Sequence, residues 1–164
     1  MDFQADQYHE VSIQRMNQAR KVYHQGDSYA LAMYLAGLAV ESMLRAFRWI
    51  NDPSFEGRHD LSDLLKASKL FEVDSNYMRL KGAKEEAIQR SQRNIRIAMN
   101  DIVVLWHNNF RFASESRLKA HLIKLRKVQG IQGDPLKKNA LDLIEAAQTV
   151  VDRGNMRWTS LTKS

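Results

Sequence analysis

The stretch Tyr29-Ala-Leu-Ala-Met-Tyr-Leu-Ala-Gly-Leu-Ala-Val-Glu-Ser-Met-Leu-Arg-Ala-Phe47 decides the fold. Its apolar residues recur as two helical stripes, Leu31, Leu35 and Leu38 on one and Met33, Val40, Leu44 and Phe47 on the other. Ala30, Ala32, Ala36, Gly37 and Ala39 fill the positions between them. A helix apolar almost all round is a central one, and small residues let its neighbours come close. Gly37 costs about 1 kcal/mol of helix propensity relative to alanine, so it argues for close packing at that point. The helix is predicted over residues 28–49, with Asp27 or Ser28 as the cap that accepts a backbone N–H bond.

On the N-terminal side, Tyr8, Val11, Met16, Ala19 and Val22 or Tyr23 recur at helical steps and predict a first helix over 4–24, ended by Gly26. On the C-terminal side Pro53 and Gly57 mark a loop, and Asp60 can cap a short helix that turns Leu61, Leu64 and Leu65 inward. Residues 71–82 fit either an irregular connection or the start of the next helix. That helix is predicted over 83–106, with Ile88, Ile95, Met99, Ile102 and Trp106 as its stripe. A further helix over 114–128 is capped by Ser114, and Gly130 and Gly133 make the next turn. Asp134 and Pro135 then open a last helix expected to run to Asp152, ended by Gly154 and followed by a loose tail after about residue 153. No strand pattern competes. The expectation is one all-α domain over 1–164, an up-and-down four-helix-bundle core with one or two additional helices, because the links are short.

Composition narrows the function. The chain has 164 residues, 44% hydrophobic and 27% charged, enough for one core without a staple. It has no cysteine, which excludes disulfides, thiolate catalysis and cysteine-bound zinc and fits a reducing compartment. The opening residues 1–10 carry acids and no apolar run, so no signal peptide is expected. The apolar run 29–40 is short for a bilayer and leads into Glu41 and Arg45, so the expected location is the cytoplasm, with no membrane partner. The formal charge of +6 favours a polyanion such as RNA or a nucleotide, or serves solubility alone.

Several polar residues carry two readings. Glu41, Arg45 and Arg48 share one face of the central helix, either as a surface ion pair or as the lining of a cleft or dimer seam. His59 precedes a helix start, where a histidine can serve as acid or base or bond a neighbouring loop. In Trp106-His107-Asn108-Asn109-Phe110-Arg111-Phe112, Arg111 can grip phosphate with Trp106 and Phe112 as stacking partners. Alternatively the two aromatics belong to the core and Arg111 caps helix carbonyls. Arg90, Arg93 and Arg96 on one helix, and Lys119, Lys124, Arg126 and Lys127 on another, form basic faces that track phosphates or meet only solvent. There is no phosphate-binding glycine loop, no dinucleotide fingerprint and no His-Glu-x-x-His, so no cofactor and no metal are expected.

The 29–47 stretch resembles the second helix of HEPN domains, the "higher eukaryotes and prokaryotes nucleotide-binding" helical domains. His59-Asp60-Leu61-Ser62-Asp63-Leu64-Leu65 is similar to that family's histidine-plus-leucine helix. Trp106 followed by Arg111-Phe112 resembles the aromatic and arginine-aromatic element after its long helix. The three occur in the family's order over roughly 4–152. The resemblance implies a four-helix up-and-down core, commonly a homodimer, and a site at Glu41, His59 and Arg111 with Arg45, Trp106 and His107 nearby.

Many members are metal-independent endoribonucleases. Their motif is an arginine followed after about four to six residues by a histidine, since the chemistry needs a base for the 2′-hydroxyl and a cation for the phosphate. Here Arg20 and His24, and Arg117 and His121, are separated by three residues, and His107 and Arg111 stand in reversed order. The resemblance therefore points first to a non-catalytic protein that binds a nucleotide or RNA or partners a nucleotidyltransferase. A divergent endoribonuclease of a toxin–antitoxin or defence system, using His107 or His59 with Arg111, and a purely structural helical protein are the alternatives.

Overall fold

The computed structural model describes residues 3–54 and 59–162. The small, apolar stretch forms helix α2, Tyr29–Asn51, and Ser28 Oγ accepts the Leu31 N–H at 3.1 Å as its cap. Met33, Val40, Leu44 and Phe47 are fully enclosed, with the alanines packed between them. Leu31 is exposed and Leu35 and Leu38 are only half-buried, so that stripe is the outer side of α2. By length and composition α2 also reaches what a membrane crossing requires, but most of it is buried in the interior of the bundle, as in the core helix of a soluble protein.

Helix α1, Ala5–Gln25, ends at Gly26, whose φ of 72° is the left-handed conformation that favours glycine. The chain then doubles back. Ser12 Oγ donates to the Ala39 carbonyl at 2.7 Å and Trp49 Nε1 donates to Gln4 Oε1 at 3.3 Å, so α1 and α2 lie antiparallel.

Helix α3, Leu61–Ser68, is separated from α4, Leu70–Leu80, by Lys69 alone, which turns the chain with φ 52°. Helix α5 spans Glu85–Leu105, a 3-10 helix covers Asn108–Phe112, α6 spans Glu115–Lys124, and α7 spans Pro135–Thr162. Met43 and Phe47 of α2 meet Gly154 and Trp158 of α7, four residues apart on both helices, so α2 and α7 run parallel. Ser91, early in α5, lies near the end of α7 through Asp74, while Trp106, just past α5, reaches the middle of α2; α5 therefore runs against both. The four long helices alternate in direction, which is the expected up-and-down core. No strand occurs among the described residues.

Three features depart from the sequence reading. Residues 71–82 are mostly helical and belong to a separate helix, α4, and are neither an irregular connection nor the start of α5. Helix α6 stops at Lys124, short of residue 128, because Arg126 takes a left-handed φ of 56°. Helix α7 continues to Thr162 instead of ending near Asp152: Gly154 lies inside it, where an added Cβ would stand 2.5 Å from Met43 Cγ. The segment expected to be a loose tail is anchored. Trp158 is buried, stacked on His9 with centroids 5.1 Å apart and set edge-on to Phe47. Of the loop residues Pro53 and Gly57, only Pro53 falls within the described residues.

Helix α4 is held by a buried ionic cluster. Asp74 is 0% exposed. Its Oδ1 accepts from Arg157 Nε at 2.6 Å and its Oδ2 from Ser91 Oγ at 2.6 Å, with Arg153 Nε at 3.9 Å. The Arg157 guanidinium also lies 4.1 Å from the Tyr77 ring centroid. One carboxylate thus ties α4 to α5 and to the end of α7.

Candidate functional site

The polar centre of α2 is Glu41, only 4% exposed in a helix otherwise lined with small and apolar groups. One turn on, Arg45 donates to Glu41 Oε1 through Nε at 2.8 Å and approaches it through Nη2 at 2.8 Å. His59 Nδ1 lies 2.9 Å from the same oxygen. The other carboxylate oxygen, Oε2, is buried and has no hydrogen-bond partner among the described residues. Of the two readings of Glu41, the exposed surface pair is the one this burial removes.

His59 is aimed at α2 by its neighbour in the chain. Asp60 caps α3, accepting the Ser62 and Asp63 N–H groups at 2.8 and 3.0 Å, which fixes the chain direction just after the histidine. A carboxylate accepts only, so Nδ1 of His59 is the donor and carries a proton. The imidazole is oriented as in carboxylate–histidine pairs of acid–base sites, with Nε2 left to act outward. The His59 side chain is 48% exposed.

His59 and Asp60 share a cleft of about 430 Å³ with Trp106, His107 and Asn109. His107 opens the 3-10 helix, and its Nδ1 accepts the Asn109 N–H at 3.1 Å. That bond places the proton of the neutral ring on Nε2. The two histidines thus line one cleft, each held through its Nδ1.

Trp106 backs the cleft from inside. It is buried on Gly37, where an added Cβ would fall 2.1 Å from the indole, and its Nε1 donates to the Tyr34 carbonyl at 3.2 Å. It is thus a packing residue at the cleft wall and not the stacking partner of Arg111. That partner is Phe112, whose ring centroid lies 4.7 Å from the Arg111 guanidinium. Arg111 is exposed and is not among the residues lining the histidine cleft. The chain thus brings together Glu41, Arg45, His59, Trp106 and His107 but leaves Arg111 outside.

A second and larger cleft, about 850 Å³, lies on the far side of His107 and includes Phe112, Arg117 and His121. In the sequence Arg117 and His121 stand out only for their spacing; their shared face at one helical turn is the available signal. The basic residues Arg90, Arg93 and Arg96 are exposed on α5, as are Lys119 and Lys124 on α6 with Arg126 and Lys127 just beyond. Among the described residues no three His, Asp or Glu side chains converge as a metal site. No protein-family model, no curated protein and no solved structure matches this chain.

Proposed function

We propose that this chain is a HEPN-like, non-catalytic binding protein that takes a phosphate-bearing ligand, a nucleotide or a segment of RNA, in the cleft between His59 and His107. The observation that carries the reading is the Glu41–His59 contact of 2.9 Å. A buried carboxylate holds one exposed imidazole at a cleft that a second histidine also lines. The formal charge of +6 supports a polyanionic ligand. The position of Arg111 outside the cleft supports binding over cleavage, because it leaves the single chain without that cation to neutralise a phosphorane. In keeping with the family resemblance, the protein acts as a cytoplasmic homodimer or beside a nucleotidyltransferase.

One observation favours a divergent endoribonuclease as the second reading. Two histidines held through Nδ1 in one cleft supply the ring nitrogens that a base at the 2′-hydroxyl and an acid at the 5′-oxygen require. A dimer that brought Arg111 from the other chain would complete that set.

Fluorescence anisotropy with a labelled single-stranded RNA tests the proposal. Binding is expected to weaken steeply with salt. His59→Ala is expected to lower affinity about tenfold, the worth of roughly 1.4 kcal/mol, and Glu41→Gln to do so in part. Incubation with RNA in EDTA separates the two readings. Intact RNA supports binding alone, whereas cleavage lost in both His59→Ala and His107→Ala establishes the nuclease. No binding at low salt by the unaltered chain overturns the proposal.

A further inference from the structure

We infer that the second cleft, on the far side of His107, is a subsite for a neighbouring nucleotide of a single strand, so that the ligand is an oligonucleotide that crosses His107 instead of a mononucleotide. This rests on the phosphate-binding reading of the His59 cleft. The two clefts share His107 and Asn109, so a strand leaving one enters the other without a gap. At about 850 and 430 Å³, each lies in the size range of small-ligand pockets.

The lining of the larger cleft divides into two chemistries. Phe110 and Leu118 are buried and form an apolar floor, while Phe112 stands 78% exposed at the edge. The Arg111 guanidinium lies over Phe112 and pre-orders the ring, leaving its other face for a base. Aromatic faces of this kind bind unpaired bases of any sequence. Arg117 and His121 are exposed one helical turn apart on α6, and the His121 ring is held edge-on to Phe110 with centroids 5.7 Å apart. With His107 they supply three nitrogen-bearing side chains for phosphate oxygens.

Among the described residues the lining contains no carboxylate. The nearest acid in sequence, Glu115, is turned away, accepting from Ser28 Oγ at 2.9 Å and the Ala30 N–H at 3.0 Å at the start of α2. An anion entering this cleft therefore meets donors without a competing negative charge. Beyond it, Lys119 and Lys124 continue the basic face of α6.

The test compares adenosine 5′-monophosphate, the dinucleotide ApA and an oligoadenylate RNA by calorimetry and anisotropy, with an RNA duplex as competitor. ApA is expected to bind at least about tenfold tighter than the mononucleotide, since the second contact is intramolecular. Phe112→Ala is expected to weaken oligonucleotide binding about five- to a hundredfold through lost stacking. Arg117→Ala is expected to reduce the slope of log affinity against log salt by about one. Both side chains are exposed, so the variants retain the fold, and circular dichroism checks this. The duplex, whose bases cannot unstack, is expected to compete poorly.

If His59→Ala weakens oligonucleotide binding while Phe112→Ala and Arg117→Ala stay within twofold of the unaltered chain, this inference fails and the first cleft stands. Equal affinity for the mononucleotide and ApA also overturns it. If no RNA binds the unaltered chain, both readings fall together.

Discussion

Asp74→Ala is expected to lower the stability of the fold by about 3–5 kcal/mol, the cost of breaking a buried ion pair from one side. The carboxylate is fully enclosed, and Arg157 opposite it is 2% exposed. Among the described residues, removing Asp74 leaves the Arg157 charge beside the Tyr77 ring alone and strips Ser91 of its acceptor. Neither group can recover water without opening the seam between α4, α5 and α7. For a chain of this size the loss corresponds to a fall in Tm of about 10 °C. Urea unfolding at constant slope measures it. The pair's own net worth is a separate quantity, because two buried ions lose hydration as well as gain attraction. A double replacement, Asp74→Leu with Arg157→Met, should recover most of the loss, since apolar residues in place of a buried pair are often neutral or stabilising. A cost of Asp74→Ala below about 1 kcal/mol, the range of exposed pairs, would mean that the cluster is solvated in solution.

That same cluster explains where the sequence is hard to read. In residues 71–82 the inward positions of the helix include Asp74 and Ser75, so the apolar period that reveals a helix is interrupted by the residues that anchor it. The partner of Asp74, Arg157, lies beyond Gly154, and a glycine near the end of a periodic run reads as a terminator. Here Gly154 admits Met43 to the helix backbone, a use that depends on a neighbour in space. By contrast α1, α2 and α5 are legible within a few residues because most of their buried positions are apolar or small and periodic. In the candidate site, the Glu41–Arg45 pair is one turn of helix and visible in the sequence. The arrival of His59 on the same oxygen is tertiary, and only the order of motifs points to it. For Trp106 the sequence leaves open a core position or a stack on Arg111, and the core position is the one it takes. Nothing in its own segment shows that Gly37, far away in sequence, is the surface on which the indole lies.

Gly37→Ala isolates that contact, and its effect is expected to reverse sign with the identity of residue 106. In the unaltered chain the new methyl would stand 2.1 Å from Trp106 Cδ1 and Nε1, far inside contact distance. The obstacle is an enclosed ring, so relief requires the indole to move, at an overpacking cost of about 1–3 kcal/mol. Movement also lengthens the 3.2 Å bond from Nε1 to the Tyr34 carbonyl, and a buried donor left without its acceptor costs about 1–3 kcal/mol more. The gain in helix propensity returns only about 1 kcal/mol. Net destabilisation of about 1–5 kcal/mol is expected, read as a lower denaturation midpoint. In a Trp106→Leu background, itself less stable, the methyl no longer meets the indole and the same substitution should be neutral or stabilising by up to about 1 kcal/mol. Additive effects in this cycle would show that Gly37 answers to something other than Trp106. Because Trp106 also lines the histidine cleft and directly precedes His107, Gly37→Ala in the otherwise unaltered chain should weaken RNA binding while leaving the His59–Glu41 contact in place. Small residues at the middle of α2 would then serve two ends at once, packing the bundle and setting the wall against which the ligand is held.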